Sequence, residues 1–320
     1  MLDHLTTDKT QIGAISALDL LTVSKSLDRQ LEVFILACRV SGLSPATLTN
    51  YSYQLGRFVE FCRRAGLGDA HDITAHHVRA YLLSLQERMG PVSVQDYYKT
   101  VNRFFNWLLE EGILAQSPMR NIKPPRTPRL APQPFSHRDI GNLLALCSGS
   151  TFLEVRNRAL VLLFLDTGLR LSEVAGIQLG DIDFDREVIK VMGKGAKERR
   201  VRIGKIVQKA ILRYLLVRED ALPCLWITEE RRPMKKAGVQ MAIKRLCARA
   251  GITGAKRGPH TFRHTAAINY LRNGGSEFTL QIMLGHSTLS MTRRYVATLG
   301  EEDLIKAHQL ASPVDNLFKK

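Results

Sequence analysis

Apolar residues recur every three or four positions through the first third of the chain, which is the spacing of one buried helix face. The pattern predicts four amphipathic helices, from near Ser26 to Ser41, from Pro45 to Gly66, from Thr74 and from Ser93 to Gly112. A serine precedes the proline that opens the second helix, which is a helix-start signal. Aromatic residues at this spacing are more often core than base-stacking surface, so a small helical bundle is predicted.

The pattern becomes mixed from Phe135 onward. Helices are predicted at about 137–147 and 153–165 and again from about Lys205, and Asp181–Gly204 alternates with period two around Gly193-Lys194-Gly195. This alternation predicts strands joined by a turn. The predicted fold is mainly α with a small β-sheet (α+β), divided into an N-terminal tail 1–24, a helical domain 25–116, a linker 117–134 and a larger domain 135–320.

The net charge of the chain indicates the kind of partner that it binds. The 320 residues include 46 Lys+Arg against 30 Asp+Glu, a formal net charge of +16. A polyanion is the commonest partner of such a chain, with nucleic acid ahead of an anionic membrane surface. The alternative is a basic enzyme whose charge serves only solubility.

Location is predicted from what the sequence lacks. The longest apolar run, Ala159–Leu165, is too short to span a bilayer, and the N-terminus carries no hydrophobic signal segment. The five cysteines are scattered without a CxxC pair. A reducing cytoplasm is therefore expected, without membrane association.

The linker has its own composition. Residues 117–134, SPMRNIKPPRTPRLAPQP, contain six prolines and no acidic residue, which favours an extended and semi-stiff segment. Its basic residues are Arg120, Lys123, Arg126 and Arg129. Two interpretations stay open, a segment lying along phosphates and a plain solvated connection between domains.

The residues that could carry chemistry are cations, histidines and a tyrosine. No metal-ligand spacing and no glycine-rich nucleotide loop is present, so neither a metal nor a cofactor is predicted. Each candidate alone has an ordinary interpretation, such as a helix-capping histidine, a helix-end arginine or a packed tyrosine. Together they match a phosphodiester-cleaving site that uses no metal: arginines neutralise the charge on phosphate, a Lys or His protonates the leaving oxygen, and a tyrosine attacks.

An ordered set of motifs carries a family resemblance. TGLR with SE, the GKGAKER hairpin, HTFRH, LGHS and a tyrosine nine residues beyond the last histidine follow one another in the chain. In this order they resemble the tyrosine site-specific recombinases, above all the simple Xer-like recombinases and the integrases of mobile elements. The resemblance runs from about Leu27 to the end of the chain. It implies a SAM-like helical core-binding domain followed by a tyrosine-recombinase catalytic domain.

The resemblance also implies roles for individual residues. Arg170 and Arg263 would clamp the scissile phosphate, and Tyr295 would attack it to form a 3′-phosphotyrosine. The residues with charge-stabilising, proton-transfer and supporting roles would be His260, His286, Lys194 and Glu173. Lys194 would be the general acid for the departing 5′ oxygen, although Lys197 lies only one hairpin step away.

Partners and assembly follow from the same resemblance. The expected partner is double-stranded DNA with inverted-repeat core sites, bound in the cytoplasm on the nucleoid by a homo-tetramer or by a hetero-tetramer with a paralogue. The expected DNA contacts are Arg120, Lys123, Arg126, Arg129, Lys197, Arg199 and Arg200. Near the C-terminus, Val314, Leu317 and Phe318 would either dock in a neighbouring subunit or pack on their own domain.

Two other functions remain open at this point. A type IB topoisomerase would use nearly the same chemistry as a monomer with little choice of site. A DNA-binding regulator without enzymatic activity would explain the charge and the helices but not the ordered set of site residues. Integration of a mobile element and resolution of chromosome dimers are not distinguished by the sequence.

Overall fold

A computed structural model of the chain describes residues 26–127, 133–193, 198–254 and 257–318. The chain divides into two compact units, Met1–Arg129 and Leu130–Lys320. The predicted tail 1–24 and three predicted site residues, Arg129, Lys194 and Lys197, lie outside the described residues. Within the described ranges, no helix combines the length and the apolar character needed to cross a bilayer.

Helices dominate the described part of the first unit. They are α1 (Leu27–Val40), α2 (Pro45–Arg64), α3 (Ala75–Gln86) and α4 (Pro91–Glu110). The α2 helix starts as predicted, because Ser44 accepts a hydrogen bond from the Thr47 amide and Pro45 occupies the first helical position. The α4 helix starts two residues earlier than predicted, since Pro91 again supplies a helical φ at the first position. Phe34, Phe58, Phe104 and Phe105 are fully buried, which confirms the prediction that these aromatic residues are core.

The described part of the proline-rich segment packs on this helical unit. Met119 and Ile122 are buried in its core. The hydroxyl of Tyr98 donates to the carbonyl of Ile122 at 2.7 Å, and the amide of Gln95 donates to the carbonyl of Pro125 at 3.3 Å. Residues 117–127 are therefore fastened to the unit rather than solvated on all sides, while the charged Arg120, Lys123 and Arg126 stay exposed.

The second unit combines helices with a small sheet. Its described helices are α5 (His137–Ala145), α6 (Phe152–Thr167), α7 (Leu171–Gly176), α8 (Lys205–Arg218), α9 (Lys236–Arg249), α10 (Pro259–Arg272), α11 (Glu277–Leu284), α12 (Ser290–Val296) and α13 (Glu301–Ala311). The described strands, β1 (Ile182–Asp183), β2 (Val188–Met192) and β3 (Glu198–Arg202), form one antiparallel sheet in the order β1-β2-β3. This confirms the mainly α fold with a small β-sheet.

The apolar helix α6 lies at the centre of the second unit. Thr151 and Glu154 form a capping box at its start, and its buried residues, including Leu160, Leu163 and Phe164, belong to the main core. The helix ends at Gly168, whose left-handed φ of 59° turns the chain sharply. The sequence predicts Arg170 at the end of this helix, but the turn instead makes Arg170 the N-cap of α7.

The register of the sheet separates two neighbouring arginines. Arg199 pairs with Val191, and Arg200 pairs with Lys190. Because successive strand residues point to opposite faces, Arg199 shares the face of the buried Val191, and Arg200 shares the exposed face of Lys190.

Candidate active site

Two left-handed glycines bring separate parts of the second unit together. Gly168 ends α6 with φ 59°, and Gly285 ends α11 with φ 62°. A Cβ atom added to Gly168 would come within 2.8 Å of Leu284 Cδ2, so the two turns pack directly against each other. Only glycine adopts this backbone conformation without strain and also leaves room for the close contact.

Arg263 bridges the two turns from α10. Its side chain is buried, with 6% of the residue exposed. Nη1 donates to the carbonyl of Gly168 and Nη2 donates to the carbonyl of Leu284, both at 2.8 Å. Burial and the nearby charge of Arg170 lower the pKa of Arg263 to about 10, so it stays a cation at neutral pH. A guanidinium has five N–H donors, which leaves donors over for an oxyanion.

Arg170 reaches the same turns from the other side. Its Nη2 donates to the carbonyl of Gly285 at 3.1 Å, and its Nη1 donates to Glu173 Oε1 at 3.1 Å. The backbone amide of Arg170 also donates to Glu173 Oε2 at 2.7 Å. The guanidinium is partly exposed, so it combines a fixed orientation with access from solvent.

Glu173 is the acceptor that holds Arg170 and Arg199. It is 5% exposed and receives Nη1 of Arg199 at 2.8 Å and Nη2 at 3.0 Å. Burial raises the pKa of Glu173, but the hydrogen bonds from Arg199 and from the Arg170 amide outweigh it and lower the pKa below its ordinary value. Glu173 is therefore a carboxylate at neutral pH, and it fixes both arginines.

Arg199 occupies a place that the sequence did not suggest. It was expected to contact DNA, but its guanidinium points inward, and its Nε donates to the carbonyl of Met283 at 3.3 Å. A Cβ atom on Gly285 would come within 3.1 Å of its Cζ. Through these contacts Arg199 joins the Arg170–Glu173 pair, and its contact with DNA stays a prediction.

His286 follows the second glycine turn and is anchored by α12. Its Nδ1 lies 2.8 Å from Oγ1 of the buried Thr292. Partial burial and the charges of Arg263 and Arg170 lower the pKa of His286 to about 4, so the ring is neutral at neutral pH. Its ring lies nearly parallel to that of Tyr295, at an interplanar angle of 9° and a centroid distance of 6.2 Å.

Tyr295 lies on α12 with only 1% of its surface exposed. Its ring packs in a small apolar cluster that includes Ala267, Leu271 and Leu284. Its hydroxyl lies 3.1 Å from Nδ1 of His264, and Nη2 of Arg294 lies 3.5 Å from the same oxygen. The predicted tyrosine is thus beside the arginines in the fold, yet its hydroxyl faces inward.

His264 and Arg294 were not assigned a role from the sequence. The only available signal was position, because His264 follows Arg263 in HTFRH and Arg294 precedes Tyr295. Burial and the charge of Arg294 lower the pKa of His264 to about 4. The ring is therefore neutral and has a nitrogen that can accept a hydrogen bond from the tyrosine.

His260 lies at the exposed first turn of α10. Its pKa is lowered by partial burial and by the charges of Arg263, Arg294 and Arg170. His260 lies three residues before Arg263 in α10, so the two share one side of that helix.

The described arrangement can bind and polarise an oxyanion. Two fixed guanidinium groups and the neutral His286 lie at the paired glycine turns, and the ring of Tyr295 is stacked on that of His286. Such donors stabilise charge that develops on phosphate oxygens. Within the described ranges, no group of three His, Cys, Asp or Glu side chains is arranged to hold a metal ion.

Comparisons with known proteins identify the family of this chain. The Phage integrase family matches residues 134–302, and the N-terminal SAM-like domain of phage integrases matches residues 31–113. The tyrosine recombinase XerD of Corynebacterium glutamicum is 31% identical over 268 residues, covering 79% of this chain and 88% of that protein. The tyrosine recombinase XerC of Salmonella typhi is 31% identical over 278 residues, covering 85% of this chain and 91% of that protein.

A solved structure shares the fold. The XerH site-specific recombinase, in a post-cleavage complex with a palindromic difH substrate, superposes with a TM-score of 0.69 at 18% identity, covering 92% of each chain. XerC and XerD are each similar to this chain over most of its length. This similarity does not favour a topoisomerase or a regulator without enzymatic activity. The chain therefore belongs to the tyrosine recombinase (phage integrase) family and is a DNA strand-transferring enzyme of site-specific recombination.

Proposed function

We propose that the protein cleaves and rejoins double-stranded DNA with Tyr295 as the nucleophile. The observation that carries this proposal is the convergence of Arg170, Arg263, His286 and Tyr295, from three separate segments, on two abutting glycine turns. The solved XerH structure is a complex with a DNA substrate, which supports DNA as the partner of this chain as well.

The proposed step is a transfer of one phosphodiester bond. Tyr295 Oη attacks the phosphorus and passes its proton to one of the proton-transfer histidines, His260 or His286, and the bond to the 5′ oxygen breaks. Lys194 gives that oxygen a proton, and the chain is left with a 3′-phosphotyrosine. Attack by the 5′ hydroxyl of another strand reverses the step. The bond energy is conserved in the phosphotyrosine, so neither ATP nor a metal is required.

Arg170 and Arg263 would neutralise the non-bridging oxygens during this step. Their orientation is set before DNA arrives, because backbone carbonyls and Glu173 already hold them. Preorganised donors of this kind need no rearrangement when charge develops. His260 and His286 would add hydrogen bonds and accept or supply protons at the same phosphate.

Affinity for DNA would come from exposed basic residues. In the described residues these include Arg120, Lys123 and Arg126 of the proline-rich segment and Arg200 of β3. We propose that the helical domain 25–116 and the segment 117–134 contact an inverted-repeat core site, and that the domain 135–320 carries the chemistry. The site of action would be the nucleoid in the cytoplasm.

Assembly as a tetramer would use the C-terminal segment. Val314, Leu317 and Phe318 are exposed, and Phe318 reaches 81% exposure. They do not pack on their own unit, which supports docking in a neighbouring subunit, either an identical copy or a paralogue.

Covalent trapping tests the proposal. The protein is incubated in EDTA with nicked DNA from the regions that flank its own gene, and an SDS-stable complex is sought. We expect an adduct at one inverted-repeat site that Tyr295→Phe abolishes while DNA binding stays normal. An adduct formed by the Phe variant would contradict the assignment of the nucleophile, and adducts at every sequence would indicate a topoisomerase.

The two hairpin lysines can be separated in the same assay. If Lys194 is the general acid, Lys194→Ala slows adduct formation strongly on ordinary DNA, by about a hundredfold. A substrate with a 5′-bridging sulfur needs no proton for its leaving group, so it restores the rate of that variant. Lys197→Ala serves as the control. If the sulfur substrate restores the rate of Lys197→Ala and not that of Lys194→Ala, Lys197 is the general acid.

A further inference from the structure

The side chain of Tyr295, including its hydroxyl, is buried in the protein without DNA. The residue is 1% exposed, and its ring is enclosed by the apolar side chains of α10 and α11. An attacking oxygen must lie in line with the leaving oxygen, about 3 Å from the phosphorus. The side chain or its helix must therefore move before the reaction begins.

Two side chains contact the hydroxyl. His264 Nδ1 lies 3.1 Å from Tyr295 Oη, and Arg294 Nη2 lies 3.3 Å from the same ring nitrogen and 3.5 Å from Oη. Arg294 also lies over the tyrosine ring, with its Cζ 5.0 Å from the ring centroid. The three groups form one contact cluster, and in the tautomer with an unprotonated Nδ1 the imidazole accepts from the phenol.

From this geometry we propose that His264 and Arg294 are positioning residues that hold Tyr295 in a buried resting orientation until DNA is bound. The inference rests on the proposed function only in its assignment of Tyr295 as the nucleophile.

DNA can displace Arg294 from its contacts with His264 and Tyr295. Its side chain is exposed, and its distances to His264 and Tyr295 exceed those of a good charge-assisted hydrogen bond, about 2.7–2.9 Å. A phosphate offers shorter bonds to a guanidinium, so an arriving DNA backbone competes for Arg294. Once Arg294 turns to the phosphate, Tyr295 keeps only its bond to His264.

The test measures access to the Tyr295 hydroxyl in the full-length protein without DNA. Tyrosines are nitrated with tetranitromethane, and the rate at each one is read by peptide mass spectrometry. His264→Phe keeps the ring but removes the acceptor, and Arg294→Gln removes the charge. We expect both to nitrate Tyr295 about two- to tenfold faster than the wild type, the factor that one net hydrogen bond supports.

Three controls belong to the same experiment. His264→Asn keeps an acceptor near the position of Nδ1 and is expected to restore slow nitration. Arg293→Gln removes a neighbouring charge from the same helix, one that faces Glu277 at 3.7 Å, and is expected to leave Tyr295 protected. Tyr214 is fully buried in the same unit, so unchanged nitration there shows that a variant is still folded.

Adduct formation at saturating nicked DNA provides the second measurement. Weakening the hold is expected to speed the single-turnover rate of His264→Phe and Arg294→Gln by a similar factor. The proposal would be overturned if both variants nitrate Tyr295 as slowly as the wild type does. It would also be overturned if both variants form the adduct more slowly than the wild type. A wild-type protein that forms no adduct would instead contradict the proposed function. The nitration rates would still show whether His264 and Arg294 restrain Tyr295.

Discussion

At the scale of single residues, one buried carboxylate organises the cationic site. Glu173 accepts from the side chain and amide of Arg170 and from two nitrogens of Arg199. A carboxylate with this many donors stays ionised despite its burial. Its negative charge offsets the repulsion between neighbouring guanidinium groups.

Replacement of this charge has a defined cost. Glu173→Gln leaves two buried or half-buried guanidiniums without their counter-ion, and we expect the free energy of unfolding near neutral pH to fall by about 2–3 kcal/mol. Urea denaturation measures the change. Glu60→Gln removes an exposed partner of Arg64 and should change stability far less. Equal effects of the two variants would contradict the role given to Glu173.

The same carboxylate predicts a pH dependence. Its folded pKa lies below the ordinary value of 4.5, so its contribution is fully present above that value and is lost as pH falls through the folded pKa. The stability difference between wild type and Glu173→Gln should therefore shrink as denaturation is repeated from about pH 6 down to about pH 4. A difference that stays constant over this range would show that Glu173 does not titrate below its ordinary range.

Arg294 acts electrostatically on the histidines of the site, in addition to its contact with the Tyr295 hydroxyl. Its charge lowers the pKa values of His260, His264 and His286. Arg294→Gln should raise all three pKa values, which NMR titration of the histidine rings measures. Arg293→Gln is the matched control and should leave them nearly unchanged. If both variants act alike, general surface charge rather than the position of Arg294 sets these values.

At the scale of elements, the site depends on where two helices end. Gly168 and Gly285 stop α6 and α11 in left-handed turns, and the carbonyls of these turns hold Arg170 and Arg263. Helix-ending glycines are visible in a sequence. That the two turns abut is not visible, because α6 and α11 are more than a hundred residues apart in the chain.

Substitution at the second turn tests this dependence. Gly285→Ala forces an L-residue into a left-handed φ at a cost of about 1–2 kcal/mol, and its Cβ meets Arg199 Cζ at 3.1 Å. We expect lower stability together with slower adduct formation, since Arg199 and Glu173 must shift. Gly42→Ala has a similar φ of 74° with no neighbour within 4 Å, so it should lose stability but keep the adduct rate. Normal adduct formation by Gly285→Ala would show that DNA cleavage does not depend on the conformation of this turn.

In the strands, the sequence pattern predicts the hairpin correctly but does not distinguish the orientations of Arg199 and Arg200. The alternation in Asp181–Gly204 predicts the hairpin, and β2 and β3 lie within it. The sequence treats Arg199 and Arg200 alike as DNA contacts. The register points Arg199 toward Glu173 and leaves Arg200 exposed, since neighbouring strand residues face opposite sides.

At the scale of the whole molecule, the exposed C-terminal segment is the basis of the proposed assembly. Leu317→Ser with Phe318→Ser removes apolar side chains that the unit leaves in solvent, so stability should hold while assembly on paired DNA sites weakens by about tenfold or more. Sedimentation of the protein on DNA measures the complex. Leu216→Ser, at an equally exposed position on α8, is the control. Assembly that is unaffected by the double variant would exclude this segment as the docking element.

The order of helices and strands, the mainly helical fold and the family were determined by the sequence itself. Periodicity, caps and turn glycines act over a few residues, and the family motifs follow one another along the chain, so both can be read without coordinates. Only the tertiary structure decided that Arg199 faces inward, that Arg263 bridges two turns and that His264 and Arg294 contact the Tyr295 hydroxyl. Except for the contact between the adjacent Arg294 and Tyr295, each of these contacts joins segments distant in sequence, and their geometry depends on how α6, α10, α11 and α12 pack together.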